Sequence, residues 1–278
     1  MYNKIVVPLD GSSLAEVALP YAEEVAGKLG KKITLLTVLA PDDAKQQMSH
    51  HRYVTTITDN TVQQIKKYAD NAVKDDITVE SATRWGNPAE GILSFVRKGH
   101  PCLIVMATHG RSGLSRWAIG SVADKIVRAS NMQPLLLIRA NGSHPDVRAR
   151  RIFKKVLVPL DGSHESEAVI PHISEIARNL KMEIVLLKVI KKANNGHEIT
   201  ENYLKNLCHR LEKENIPAQY HVKTGSAAEE IIDTADELAS DLVAMSTRGQ
   251  AATSIWPLGS VAQKILLGGN TPLMLVRA

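Results

Sequence analysis

The stretch KIVVPLDGS at residues 4–12 decides the fold, because it returns as KVLVPLDGS at residues 155–163. A glycine followed by nine residues and Gly-Ser also occurs in both halves, starting at Gly110 and at Gly249. Matching motifs in the same order indicate a duplicated structural unit. The 278 residues are therefore predicted to form two similar domains, each with its own copy of any site that the motifs build.

The duplication also predicts where the domains begin and end. We expect domain 1 at residues 1–141, a linker at 142–152 and domain 2 at 153–278. The run Asn-Gly-Ser-His-Pro at 141–145 is dense in turn-forming residues, as is typical of a boundary between domains.

The composition is typical of a soluble globular protein, with 44% hydrophobic and 23% charged residues. No stretch approaches the ~20 apolar residues that cross a bilayer. The first strand begins so close to Met1 that we expect no signal peptide, no membrane partner and a cytoplasmic protein. Cys102 and Cys208 are expected to be reduced packing thiols.

The net charge of +5 is scattered, apart from an arginine-rich stretch at 148–151 inside the expected linker. Aromatic residues make up only 4% of the chain and are not interleaved with the basic residues, as base stacking would require. Nucleic acid is therefore not an expected partner.

Short runs of Val, Ile and Leu alternate with longer helical patterns in each half, which is typical of βαβ units. Each domain is expected to be α/β, with a five-stranded doubly wound parallel sheet flanked by helices. In the first domain, strands are predicted at about residues 3–9, 32–39, 77–84, 102–107 and 134–139.

Three stretches of the first domain have predictable local features. Residues 13–16, Ser-Leu-Ala-Glu, fit a capping box at the start of a helix. Pro20, repeated at the matching place in the second half, predicts a bend or irregularity in that helix. Residues 41–60 are polar and predict a solvated loop, so His50 and His51 are not expected to bind a metal.

Polar and small residues stand at the predicted strand ends. Asp10 ends the first strand, Val38 is near the end of the second, and Thr-His-Gly at 108–110 leaves the fourth. Ligands bind beyond the carboxyl ends of the strands in an open parallel sheet, so these residues should share one crevice. An aspartate can accept hydrogen bonds from ribose, and glycines and Ser121 at a helix start suit phosphate. The alternative is that the glycines only make turns and Ser121 only caps a helix.

The chain lacks G-x-x-x-x-G-K-[ST], and no G-x-G-x-x-G follows the first strand. Its motifs instead resemble the universal stress protein family, whose nucleotide-binding members carry a small residue or Gly, two residues, Gly, nine residues and Gly-Ser or Gly-Thr. That pattern matches residues 107–121 and 246–260, and the family's Pro-x-Asp matches 8–10 and 159–161. The resemblance covers both halves nearly end to end, so the chain is similar to a tandem universal stress protein.

The resemblance implies a Rossmann-like, adenine nucleotide alpha hydrolase-like fold and a stress-response regulator that binds ATP, or ADP or AMP, with or without Mg²⁺. It also implies pairing of the domains about a pseudo-twofold axis through their last strands, at 134–138 and 272–276, and a homodimer is left open. The nucleotide-binding residues that it implies are Pro8, Leu9, Asp10, Val38, Ala107, Thr108, His109, Gly110, Arg111, Gly113, Gly120, Ser121 and Val122 in domain 1, and Pro159, Leu160, Asp161, Val189, Ser246, Arg248, Gly249, Gly259, Ser260 and Val261 in domain 2.

The two copies differ in the nine-residue segment that should face the phosphates. Arg111 and Arg116 of the first copy correspond to Gln250 and Ile255 of the second, which thereby loses two guanidinium groups. The family's first glycine is replaced by another small residue in both copies, so both pockets should survive. We expect both domains to bind an adenine nucleotide, and the first to bind it more tightly.

Three functions fit these residues: a nucleotide-dependent regulator, a slow ATPase, and a nucleotide-independent interaction scaffold. Phosphoryl transfer needs positioned Mg²⁺, charge stabilisation and an oriented nucleophile. No paired acid and base is visible, so no catalytic residue is assigned and at most weak ATP hydrolysis is expected. The retained Gly-Ser in both copies argues against the scaffold. The stress signal, the protein partner and the choice of nucleotide stay undecided.

Overall fold

The structure, a computed structural model, divides into two compact units, Met1–Ile152 and Phe153–Ala278. Each unit is built from parallel strands covered by helices. The structure describes residues 2–40, 44–69 (for 44–48 the backbone alone), 77–98, 101–110, 119–129, 133–139, 151–191, 197–249 and 258–278.

The first unit contains a parallel sheet in the order β3-β2-β1-β4-β5. Its elements are β1 (Lys4–Leu9), α1 (Ser13–Glu16), α2 (Leu19–Leu29), β2 (Lys32–Leu39), α3 (Ala44–Tyr68), β3 (Val79–Trp85), α4 (Pro88–Arg97), β4 (Cys102–Ala107), α5 (Ser121–Ala129) and β5 (Leu135–Ile138). The strand order reverses between β1 and β4, as in a doubly wound fold.

The second unit repeats this arrangement in the order β8-β7-β6-β9-β10. Its elements are β6 (Lys155–Pro159), α6 (His164–Glu167), α7 (Val169–Leu180), β7 (Glu183–Ile190), α8 (His197–Lys213), β8 (Ala218–Thr224), α9 (Ala227–Glu237), β9 (Leu242–Ser246), α10 (Ser260–Gly268) and β10 (Leu273–Val276). The predicted pair of five-stranded doubly wound sheets is therefore confirmed.

The central strands are continuous apolar runs because helices cover both faces of each sheet. Ile5, Val6 and Val7 of β1 are fully buried, and every residue of β4 is buried as well. The predicted bounds of β2 and β4 agree with the structure, whereas β3 begins at Val79, two residues later than predicted. No helix among the described residues is both long and apolar enough to cross a membrane.

The first helix is capped one residue earlier than predicted. Ser12, whose backbone is extended, accepts a hydrogen bond at its Oγ from the N–H of Ala15 at 3.2 Å. Ser13 is already helical, so the predicted capping box is wrong by one residue, and Ser163 caps α6 in the same way as Ser12 caps α1. The irregularity predicted at Pro20 is confirmed as a break between α1 and α2.

The polar stretch at 41–60 is not a loop where the structure describes it. Residues from Ala44 onward belong to α3, a helix of 25 residues, so that prediction is wrong. Its buried and half-buried positions Tyr53, Ile57, Thr61 and Ile65 recur every four residues. The buried stripe has few apolar residues and is interrupted by threonine, so the sequence pattern predicted a solvated loop instead of an amphipathic helix.

Asn87 provides a measure of local helix stability. Its Oδ1 accepts hydrogen bonds from the N–H groups of Ala89 at 3.1 Å and Glu90 at 3.3 Å, at the start of α4. Asn87→Ala should therefore lower the free energy of unfolding by ~1 kcal/mol in urea denaturation followed by circular dichroism. Ser94→Ala, at an exposed position of the same helix, is the control, and an equal loss in both variants would contradict the capping role.

Candidate functional site

A cavity of about 580 Å³ opens at the carboxyl ends of β1, β2 and β4 in the first unit. This is the point where the strand order reverses, the usual ligand position in an open α/β sheet. Two of the predicted residues, Arg111 and Gly113, lie outside the described residues. The other predicted residues of the first copy all line the cavity: Pro8, Leu9, Asp10, Val38, Ala107, Thr108, His109, Gly110, Gly120, Ser121 and Val122.

Asp10 is held rigidly just after the carboxyl end of β1. Its Oδ1 accepts hydrogen bonds from the N–H of Ser12 at 3.0 Å and from the Oγ of Ser12 at 2.6 Å. Gly11 between them has φ of 81°, a left-handed backbone that favours glycine. The other oxygen, Oδ2, lies so close to Gly110 that a Cβ on that glycine would collide with it. The carboxylate is therefore fixed between the two loops that leave β1 and β4.

The N-terminus of α5 is fastened to the end of β4. The N–H of Gly120 donates to the carbonyl oxygen of Thr108 at 2.8 Å, and the N–H of Asp124 donates to the carbonyl oxygen of Gly120 at 2.9 Å. A Cβ on Gly120 would lie 3.0 Å from Thr108 O, closer than side chains normally approach. Ser121, the first residue of α5, lines the cavity, so the positive end of this helix faces it.

Part of the cavity lining is apolar. Val38 and Leu39 from β2, Ile92 from α4 and Met106 from β4 line it. Helix α4 comes unusually close to β2, because a Cβ on Gly91 would lie only 2.8 Å from Val38 Cγ1. An apolar wall together with a fixed carboxylate and a helix N-terminus suits a ligand with one flat hydrophobic end and one anionic end.

Helix α3 supplies lining residues that the sequence motifs do not predict. Ser49, His50 and Tyr53 line the cavity, and the Nε2 of His50 lies 3.3 Å from the Oγ1 of Thr83 on β3. They were missed because this stretch was predicted as a loop, although the four-residue spacing from Tyr53 onward could have identified the helix. Among the described residues, no group of three or more His, Cys, Asp and Glu is placed to hold a metal ion.

The second unit repeats the fixed carboxylate. The Oδ1 of Asp161 accepts hydrogen bonds from the N–H and the Oγ of Ser163 at 2.9 and 2.5 Å, and a Cβ on Gly249 would collide with Oδ2 of Asp161. The N–H of Gly259 donates to the carbonyl oxygen of Thr247 at 2.8 Å, as Gly120 does to Thr108.

The predicted residues of the second copy occupy matching places in its elements. Pro159 ends β6, and Leu160 and Asp161 follow it, while Val189 is the seventh residue of β7. The remaining ones lie where β9 ends or α10 begins: Ser246, Arg248, Gly249, Gly259, Ser260 and Val261.

Comparisons with known proteins agree with this architecture. The model of the universal stress protein family matches residues 1–139 and 152–277. A universal stress protein of Methanocaldococcus jannaschii is 27% identical over 142 residues, which cover 50% of this chain and 83% of that protein. A solved universal stress protein from Archaeoglobus fulgidus has a TM-score of 0.74 at 18% identity, covering 100% of this chain and 99% of that one. A putative universal stress protein from Pseudomonas aeruginosa has a TM-score of 0.71 at 17% identity, covering 99% and 93%. Since the family model matches nearly the whole of both units, the chain belongs to the universal stress protein family and carries two of its domains in tandem.

Proposed function

We propose that this protein is a stress-response regulator that binds an adenine nucleotide, ATP, ADP or AMP, in the cavity of its first domain. The observation that carries the proposal is one cavity in which a fixed carboxylate, an apolar wall and a helix N-terminus converge. Its volume of about 580 Å³ lies within the range of small-molecule sites. In this proposal, the bound nucleotide alters the contacts that the protein makes with a partner.

The chemistry of the cavity supports one orientation of the nucleotide. The base packs against Val38 and its apolar neighbours, and Asp10 accepts a hydrogen bond from the ribose or the base amino group. The phosphates lie at the backbone of Gly110 and Gly120 and at the N-terminus of α5, where partial positive charge collects. Preference for adenine over other bases rests on the family motif.

The second domain carries the same motif and is proposed to bind more weakly. The proposal rests on the loss of Arg111 and Arg116, which Gln250 and Ile255 replace in the second copy. Fewer guanidinium groups near a triphosphate mean fewer charge-assisted hydrogen bonds. These four residues lie outside the described ones.

A binding role is favoured over catalysis. Asp10 is the one acidic side chain among the lining residues that the structure describes, and Ser12 already engages one of its oxygens. Efficient phosphoryl transfer needs an oriented nucleophile and groups that stabilise the developing charge. Any ATP hydrolysis should therefore be slow, and a multiple-turnover phosphate assay with Mg²⁺ measures it.

Calorimetric titration of the whole chain with ATP, ADP, AMP and GTP tests the proposal. We expect the adenine nucleotides to bind at least ~10-fold more tightly than GTP, and Asp10→Ala to weaken their binding at the first site by at least ~10-fold. Asp161→Ala is the matched control, because it removes the corresponding carboxylate from the other domain. No binding at millimolar nucleotide, or equal binding of GTP, would contradict the proposal.

Two kinds of association are proposed from the sequence: pairing of the two domains and pairing of two chains. Pairing of the domains through their last strands, and pairing of two chains, would each cover apolar edges that are otherwise prone to aggregate. Sedimentation velocity distinguishes a 30.4 kDa monomer from a dimer of twice that mass, with and without ATP.

A further inference from the structure

The second domain has a lysine where the first has a cavity-lining threonine. The strands β2 (KITLLTVL) and β7 (EIVLLKVI) each have eight residues, and their sixth residues are Thr37 and Lys188. Thr37 is buried and lines the cavity of the first domain. A long cationic side chain therefore replaces a short one at the same position of the sheet.

The side chain of Lys188 reaches across the end of β7. Its Nζ lies 2.8 Å from the position that a Cβ would take on Gly162, the residue after Asp161. The same Nζ lies 5.2 Å from the centroid of the Tyr203 ring on α8, within the range of a cation–π contact. The ammonium group of Lys188 thus lies between the loop after β6 and helix α8.

Tyr203 is held in place by its own partners. Its hydroxyl donates a hydrogen bond to Glu167 Oε1 at 2.9 Å, and Arg210 Nη2 donates to Glu167 Oε2 at 3.4 Å. Burial and Glu167 raise the pKa of Tyr203, so the phenol stays neutral and its ring can hold a cation. Moving Lys188 aside therefore costs its contact with a ring that is already anchored.

The counterparts of these three elements line the cavity of the first domain. There, Gly11 after β1, Thr37 of β2 and Tyr53 of α3 surround open space near the base-binding wall. In the second domain, Lys188 bridges the corresponding loop, strand and helix. The loop that it reaches also carries Asp161, the counterpart of Asp10, whereas Gly249, Gly259 and the start of α10 match the proposed phosphate end of the first site.

We propose that Lys188 occupies the crevice of the second domain at the loop after β6, so that this weaker site stays empty at nucleotide concentrations that fill the first domain. The proposal rests on the function proposed above for the first cavity. In this proposal, a nucleotide that enters the second crevice has to displace the ammonium from Tyr203 before it can occupy the space at the loop after β6. Lys188 thus determines which of the two duplicated sites is used.

Calorimetric titration of the full chain with ATP tests this by stoichiometry. Wild type should bind one nucleotide per chain, and Lys188→Thr, which restores the residue of the first domain, should bind two. The affinity of the second site should rise at least ~10-fold in that variant. Lys213→Thr, which removes one exposed charge from the same domain, should still bind one. Lys188→Met keeps the length without the charge and separates blocking by volume from blocking by the ammonium group.

The outcomes separate the two proposals. Two nucleotides on wild type, or one on both Lys188→Thr and Lys188→Met, overturn the role of Lys188 and leave the function of the first domain standing. No nucleotide on wild type overturns the proposed function and this inference with it. Adding Gly249→Ala to Lys188→Thr should return the stoichiometry to one.

Discussion

Gly110→Ala should weaken ATP binding to the first domain by at least ~100-fold, about 3 kcal/mol of binding free energy. The added Cβ would meet Oδ2 of Asp10, whose other oxygen is already engaged by Ser12. The carboxylate has no room to move towards Ser12, so either Asp10 or the loop after β4 must leave its place. Both belong to the proposed nucleotide site, and a misplacement of about 1 Å in such a site can cost about 100-fold.

The duplicated domain offers a matched control for this substitution. Gly249→Ala produces the same collision with Asp161 in the second domain. If the first domain carries the measured affinity, Gly249→Ala should leave it unchanged while destabilising its own domain to a similar extent. Calorimetry gives the two affinities, and circular dichroism verifies that both variants are folded. Equal affinity in wild type and Gly110→Ala would remove Gly110 and Asp10 from the nucleotide site.

Raising the pH from 5 to 8 should lower the free energy of unfolding by about 2 kcal/mol through Glu23 alone. Glu23 lies in α2 with 5% of its surface exposed, and burial raises its pKa from the ordinary value of 4.5 to about 7. Between these two values the folded state holds a proton that the unfolded state has lost, so stability falls as the pH rises. Below about pH 4.5 both states are protonated, and above about pH 7 the full destabilisation is present.

Glu23→Gln should remove this part of the pH dependence, because the amide imitates the protonated carboxyl at every pH. Counting from Pro20 and Pro171, the second domain has Ser174 at the matching place, so only the first domain should respond. Urea denaturation of wild type and Glu23→Gln at pH 5 and pH 8 gives the comparison. If the free energy of unfolding changes equally between pH 5 and pH 8 in wild type and Glu23→Gln, the pH dependence comes from other groups.

The architecture and the position of the first cavity could be predicted from sequence because they depend on repeated local patterns. The apolar runs of β2 and β4 gave their bounds, and the spacing from Gly110 to Ser121 placed a helix start beside Asp10. Such features follow from the period of a strand and from the reversal of strand order in a parallel sheet.

Other features depend on packing that the local pattern does not express. The part of helix α3 up to residue 60 was predicted as a loop because its buried stripe is thin, and His50 and Tyr53 were therefore missed as lining residues. The N-cap was predicted one residue too late because Ser12 and Ser13 are adjacent and either serine can cap a helix. The hydrogen bond from Ser12 Oγ to the carboxylate of Asp10 favours Ser12. The direction of the Lys188 side chain depends on the position of the Tyr203 ring, which sequence spacing does not predict.

The hydrogen bonds from Gly120 to Thr108 and from Gly259 to Thr247, each 2.8 Å long, have a consequence for how the two copies evolved. They join the two ends of the intervening segment directly to each other, independently of the side chains between them. Mutations there can accumulate after gene duplication without loosening the attachment of α5 or α10. Arg111 and Gln250, at matching places between these anchors, are one such difference between the two copies.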